Sequence, residues 1–261
     1  MNRWQQFLRS RAIRRRAALY SLLVVPALMA GYAGTLGRSR LRVRRLRLSE
    51  QPTVRFVHLT DLHHKGDAAL LRRVVRAVRK LGPEFVCFTG DIVEETGFLT
   101  ATLEALGKLG CPVFGVPGNH DYWSGADFAV IDRTLRATGG RWLVDEQAEA
   151  AGSRAVISGH SATVPAALRP KAGRINLALV HYPAEADRLA GVFDLVMAGH
   201  SHGGQVRLPG LGALILPDRV GHYDLGRFQT AGGPLHVSAG VGTFHFNVRF
   251  HCPPEVVLVE L

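Results

Sequence analysis

From Pro52 onward, short apolar runs alternate with amphipathic stretches, and apolar run after apolar run stops at a polar residue beside glycine or histidine. The run 53–60 reads as a buried strand with Asp61 at its end. In 68–81 the apolar residues fall at 70, 71, 74, 75, 78 and 81. That spacing predicts one helix face, with Arg72, Arg73, Arg76, Arg79 and Lys80 on a solvated opposite face. Gly82-Pro83 ends this helix, and a strand over 84–89 delivers Gly90-Asp91 at its tip. The pattern recurs with a helix near 98–109, a strand at 112–116 and a loop Gly118-Asn119-His120-Asp121. A helix around 127–137 follows, then strand-like runs at 155–158, 175–180 (ending in His181) and 194–198 (ending in Gly199-His200). Beyond Gly203 the chain turns to Gly- and Pro-rich β segments at 213–216, 235–238 and 255–261.

Alternation of this kind predicts an α/β (α+β) domain over 51–261, with two packed β-sheets flanked by helices. In such sheets, sites collect in the loops at the carboxyl ends of strands, where these polar residues fall.

Hydrophobic content of 47% and charged content of 20% are ordinary for a globular chain of 261 residues. The net charge of +11 changes the picture only once it is located. Residues 1–50 hold twelve Arg, no Lys and one acid, Glu50, which accounts for all of it; the other 211 residues carry twenty basic and twenty acidic side chains. The chemistry-bearing part therefore has no net pull on DNA or RNA, and no nucleic-acid partner is expected. Cys87, Cys111 and Cys252 show no metal-binding or disulfide spacing, and Cys87 reads as a small buried thiol.

The basic excess flanks an uncharged stretch. Residues 1–16 form a basic N-terminal segment, 17–35 a candidate transmembrane helix or signal anchor, and 36–50 a basic juxtamembrane segment or first strand. About 18–20 apolar residues can just cross a bilayer core, and Arg clusters on both flanks argue against a buried soluble helix. A removable signal peptide is the other alternative, with Gly31-Tyr32-Ala33 a poor cleavage site. Six Arg precede the stretch and six follow it, so charge leaves the orientation open. The second group, at 41–48, approximates a period of two and reads as a strand, a surface for anionic headgroups, or both.

The polar residues at the strand ends fall into five motifs: Asp61-Leu62-His63, Gly90-Asp91, Gly118-Asn119-His120-Asp121, His181 and Gly199-His200-Ser201-His202. Singly each is weak; in this order, each after an apolar run, they are hard to produce as turn chemistry. Carboxylate, amide and imidazole are donors that divalent first-row metals accept. The set resembles the calcineurin-like metallophosphoesterase superfamily, pattern DxH…GD…GNH(D/E)…H…GHxH, from Asp61 to His202 with no ligand missing.

The resemblance implies a four-layer sandwich and two divalent ions (Mn, Fe or Zn), with Asp61, His63 and His202 on one, Asn119, His181 and His200 on the other, and Asp91 bridging. A hydroxide activated by the ions would attack phosphorus in line. His120, held by Asp121, would stabilise the phosphoryl oxygen or protonate the leaving oxygen. Gly90, Gly118 and Gly199 would let the backbone turn and admit a phosphate, and His64 would face substrate or solvent. The run Gly199-His-Ser-His-Gly-Gly-Gln205, with 237–242, Arg249 and Pro254-Glu255, is similar to the membrane-anchored bacterial branch. Some members of that branch act on UDP-2,3-diacylglucosamine. The expectation is an inner-membrane phosphohydrolase, single-pass at its N-terminus, that cleaves a phosphodiester or pyrophosphate in a lipid- or nucleotide-linked substrate. The side of the membrane stays open. A nuclease or nucleotide phosphodiesterase of the same superfamily and a metal-free scaffold are the alternatives; the short 160–181 interval leaves little room for a lid over acyl chains.

Overall fold

The computed structural model describes residues 24, 26–162 and 167–261. In chain order its elements are a helix at 26–39 (α1), β1 Arg42–Arg47, β2 Arg55–Leu59, α2 Ala68–Leu81, β3 Val86–Phe88, α3 Leu99–Gly107, β4 Val113–Gly115, α4 Asn119–Trp123 and α5 Phe128–Ala137. Strands β5 Arg141–Trp142, β6 Glu146–Glu149, β7 Ala155–Gly159, β8 Ile175–Leu179, β9 Leu195–Ala198, β10 Arg207–Leu208, β11 Gly212–Ala213, β12 Gly226–Thr230, β13 Gly233–Val237 and β14 Glu255–Glu260 follow.

Local signals fix the helices. Asp67 caps α2 by accepting from Leu70 N at 2.9 Å, and Gly82, in the left-handed region at φ 55°, ends it. Leu71, Val74 and Val78 face inward while Arg79 and Lys80 occupy the last turn, where cations suit the helix dipole. Asp127 caps α5 through Ala129 N and Val130 N, and Ile131 and Leu135 are its buried stripe.

Two six-stranded sheets form among the described residues, in the orders β1-β14-β2-β3-β4-β5 and β12-β13-β9-β8-β7-β6. Strands β2 to β5 run parallel, as do β7, β8, β9 and β13. Between the sheets lie Phe56, Phe85, Cys87, Phe114, Leu177 and Met197. Helices α2, α3 and α5 cover the other face of the first sheet through Leu71, Val74, Leu103 and Ile131. The far face of the second sheet is covered by the 3-10 turn Pro183–Arg188 and by loops carrying Phe193 and Tyr223. The central parallel strands are buried on both faces, so they read as continuous apolar runs.

At the N-terminal side, β1 pairs with β14 in parallel register, Arg42 opposite Glu255, so within 41–48 the residues Arg42–Arg47 form a strand with exposed arginines. The C-terminal half of α1 docks on the chain near Arg249, whose N–H donates to Ala33 O at 2.9 Å. Leu28 and Leu36 are exposed. The segment 1–16 and part of the 17–35 stretch lie outside the described residues. Among the described residues, no helix is long and apolar enough to cross a membrane. The β segment expected at 213–216 shrinks to the two-residue pairing of β10 with β11, and the Gly118–Asp121 loop opens a short helix, α4.

Candidate metal centre

The parallel strands of both sheets deliver their carboxyl ends to one place. Asp61 follows β2, Asp91 follows β3, Asn119 and His120 follow β4, His181 follows β8, and His200 and His202 follow β9. All are buried. The backbone is forced there, because Asp61, His63, Asp91, His200 and His202 have φ between 40° and 62°. Non-glycine residues in the left-handed region store strain, and a cluster of them marks a functional site.

Among the described residues three trios of donor atoms each lie within 4.8 Å: two made of expected ligands, Asp61, His63 and His202, and Asp91, His181 and His200, and a third of His63, Glu94 and His120. His63 Nε2 and His202 Nε2 approach to 3.0 Å, and Asn119 Oδ1 sits 2.9 Å from His181 Nε2. The seven residues expected to ligate metal are thus brought together. Asp91 stands between the first two trios: its Oδ2 is 3.3 Å from His63 Nε2 and 3.3 Å from His181 Nε2. Its Oδ1 is taken by His120 N at 2.8 Å, so a single oxygen, Oδ2, faces both His63 and His181. Asp61 is oriented by His200 N, which donates to both its oxygens at 3.1 Å, and His200 Nε2 bonds Asp218 O, leaving Nδ1 for the site.

Two expectations need correction. Asp121 does not hold His120; its carboxylate accepts from Asp91 N, Ile92 N and Gly118 N at 2.8, 2.9 and 2.8 Å, so it fixes the loop bearing Asp91. The partner of His120 is Glu94, whose Oε2 lies 3.0 Å from His120 Nδ1 while Oε1 lies 2.8 Å from His63 Nδ1. Sequence reading stopped at Gly90-Asp91 and missed it; the signal was an acid three residues past Asp91. Gly118 and Gly199 make room for the carboxylates, since a Cβ at Gly118 would collide with Asp91 Oδ1 and one at Gly199 with Asp61 Oδ2. His64 is buried against Phe98, 5.7 Å between rings.

The electrostatics follow from dry packing of opposite charges. Burial pulls His63 and His181 down, but Asp91 with its neighbouring carboxylates overcomes this, holding His63 well above its ordinary pKa and His181 up at about 9. Burial alone would raise Asp91, yet His181 and His63 hold it well below the usual range. Burial and the cationic His181 take His200 down to about 4. Burial and the Asp91 charge push Asp121 up to about 6 against its three N–H donors.

A buried cation completes the wall. Arg249 donates to Gly242 O, Cys252 O and Ala239 O at 2.6–3.1 Å and approaches His202 Nδ1 at 3.5 Å. It ties the loop after β13 behind His202.

Carboxylate oxygens, one amide oxygen and imidazole nitrogens converging in a water-poor cleft suit paired divalent ions. The family model for calcineurin-like phosphoesterases matches residues 54–204, spanning all these residues. The chain belongs to that family. It is a metallophosphoesterase, consistent with a metal-dependent hydrolase. It is 28% identical to the metallophosphoesterase YkuE of Bacillus subtilis over 222 residues, 78% of this chain and 76% of the relative. It is 26% identical to the phosphodiesterase YaeI of Escherichia coli, over 79% of this chain and 82% of that one. The UDP-2,3-diacylglucosamine pyrophosphatase LpxG of Chlamydia trachomatis is 34% identical over 122 residues, 41% of this chain and 36% of LpxG.

Proposed function

We propose that this metallophosphoesterase cleaves a phosphodiester or pyrophosphate bond in a lipid- or nucleotide-linked substrate presented at a membrane surface. The observation that carries the hydrolytic reading is Asp91 Oδ2, equidistant at 3.3 Å from His63 Nε2 and His181 Nε2. Asp61, His63 and His202 would hold one ion, Asn119, His181 and His200 the other, and Asp91 both. Such ions supply Lewis-acid polarisation of a phosphoryl oxygen and a lowered pKa for water.

The protein's own groups do the rest. Asp121 and the backbone of His120 hold Asp91 in register. His120 Nε2 is buried with no hydrogen-bond partner among the described residues, while Glu94 holds its Nδ1 side. Nε2 is therefore the atom that gives a proton to the leaving oxygen or steadies charge on the phosphoryl group.

The lipid-linked reading is supported by the likeness to LpxG and by the edge of the fold. There, exposed apolar side chains on α1 run into the exposed arginines of β1, a combination that favours anionic headgroups. The neutral charge balance after residue 50 disfavours nucleic acid. The test is a metal-supplemented screen of lipid-linked and nucleotide diphosphates in detergent. Turnover of a lipid-linked diphosphate above nucleotide diphosphates supports the reading, and turnover confined to nucleotides overturns the lipid part.

A further inference from the structure

An aromatic loop following β13 closes over the metal centre, and nothing in the ligand set requires it. The Phe244 ring lies 5.3 Å from His120 (interplanar angle 84°), 6.0 Å from His202 (20°) and 6.3 Å from His63 (39°). Trp123 stands against His120 as well, 4.9 Å away, and is 71% exposed. Phe246, two residues beyond Phe244, is 72% exposed. Exposed aromatic rings bordering a polar cleft mark a surface meant for an apolar ligand group.

The loop is clamped from the metal motif itself. Gln205 Nε2 donates to Phe244 O at 2.8 Å, and Phe244 N donates to Gln205 Oε1 at 2.7 Å. Gln205 is in turn fixed: its N–H donates to His202 O at 3.0 Å, its carbonyl accepts from Phe250 N at 2.8 Å, and its φ is 54°. The turn that supplies ligand His202 thus also sets the height of the Phe244 ring above the ligands.

We infer that Phe244 is a specificity-determining wall, with Gln205 as its positioning residue, selecting phosphoesters that carry an apolar chain. This rests on the hydrolytic reading above and adds to it the residues that choose the substrate.

The experiment compares hexyl and methyl p-nitrophenyl phosphate with the metal-loaded full chain. In both, the oxygen of water bonds to phosphorus and the P–O bond to the aryl group breaks. p-Nitrophenolate leaves with the electron pair, the proton of water passes to solvent, and the alkyl phosphate remains. The leaving group is shared, so the ratio of kcat/KM values within each variant reads only the chain. Wild type should prefer the hexyl ester roughly tenfold, the yield of burying about two methylenes. Phe244→Ala should bring the ratio to within about twofold of unity, Phe244→Leu should keep most of it, and Phe246→Ser, at an exposed position, should lower it in part. Gln205→Ala should lower it as Phe244→Ala does, with metal content unchanged. A wild-type ratio near one, or a ratio untouched by both Phe244→Ala and Gln205→Ala, overturns the inference. If wild type turns over neither ester, the hydrolytic reading fails instead. The wall is then read by calorimetry, where hexyl phosphate should bind about tenfold tighter than methyl phosphate and equal affinities overturn it.

Discussion

Replacing Glu94 with Gln keeps the size of the side chain and removes its charge. Two contacts change: Oε2 at 3.0 Å from His120 Nδ1 and Oε1 at 2.8 Å from His63 Nδ1. A contact to an ionised partner contributes about 1.5–3 kcal/mol and a neutral one about 1 kcal/mol, so the first loss is about 1–2 kcal/mol. At roughly 1.4 kcal/mol per decade, kcat should fall about 5- to 30-fold. The second loss removes a charged contact from a candidate ligand and should weaken metal affinity about tenfold or more, as removal of a ligand's supporting carboxylate does. Saturating metal removes that second effect. The assay is therefore kcat for bis-p-nitrophenyl phosphate at saturating Mn, in wild type, Glu94→Gln, His120→Ala and the double variant. His120→Ala alone should cost about 100-fold or more, through lost stabilisation of charge on the phosphoryl group, since nitrophenolate leaves without a proton. If Glu94 works through His120, adding Glu94→Gln to His120→Ala should change kcat by less than about twofold. An equal 5- to 30-fold loss in both backgrounds refutes the dyad.

Asp121→Ala leaves three buried N–H groups without their acceptor and should destabilise the metal-free protein by at least about 3 kcal/mol in urea unfolding; a loss under about 1 kcal/mol would restore the role expected from sequence. His181 has a folded pKa raised from 6.5 to about 9, so its contribution is complete below pH 6.5 and is lost as pH rises through 9. Chelated protein should therefore be up to about 3 kcal/mol less stable at pH 9.5 than at pH 6.5, and metal loading, which requires neutral imidazole, should flatten that slope. Deleting residues 1–40 leaves β1 and its arginines paired with β14, so the domain should still fold, yet sedimentation with anionic vesicles should weaken for want of the apolar side chains of α1. Sedimentation undiminished by the deletion would move membrane binding to the domain.

What could be read from sequence was whatever repeats locally. The helix at 68–81 carries its cap, stripe and stop within sixteen residues and forms over that range. The candidate ligands were legible because each motif follows an apolar strand run, with Asp91, Asn119, His200 and His202 beside a glycine. Contacts that depend on three-dimensional assembly were not legible. Asp121 adjoins His120 in sequence, yet the turn into α4 aims its carboxylate back at the Asp91 loop. Glu94 meets His120 only because β3 and β4 lie side by side. Strand β6 (Glu-Gln-Ala-Glu) and strand β12 lack an apolar run because they are sheet edges, where pairing with one neighbour suffices. Gln205 showed its motif but not its task, since Phe244 arrives from 39 residues away.

The central claim is that Asp91 joins two metal sites into one catalytic centre. Its most direct test is metal content by mass spectrometry, paired with hydrolysis of bis-p-nitrophenyl phosphate, for wild type and Asp91→Asn. Wild type should hold about two ions per chain, as a two-metal site requires, and Asp91→Asn should hold fewer and lose at least about 100-fold in kcat while circular dichroism stays unchanged. Two ions and near-wild-type turnover in Asp91→Asn would contradict it.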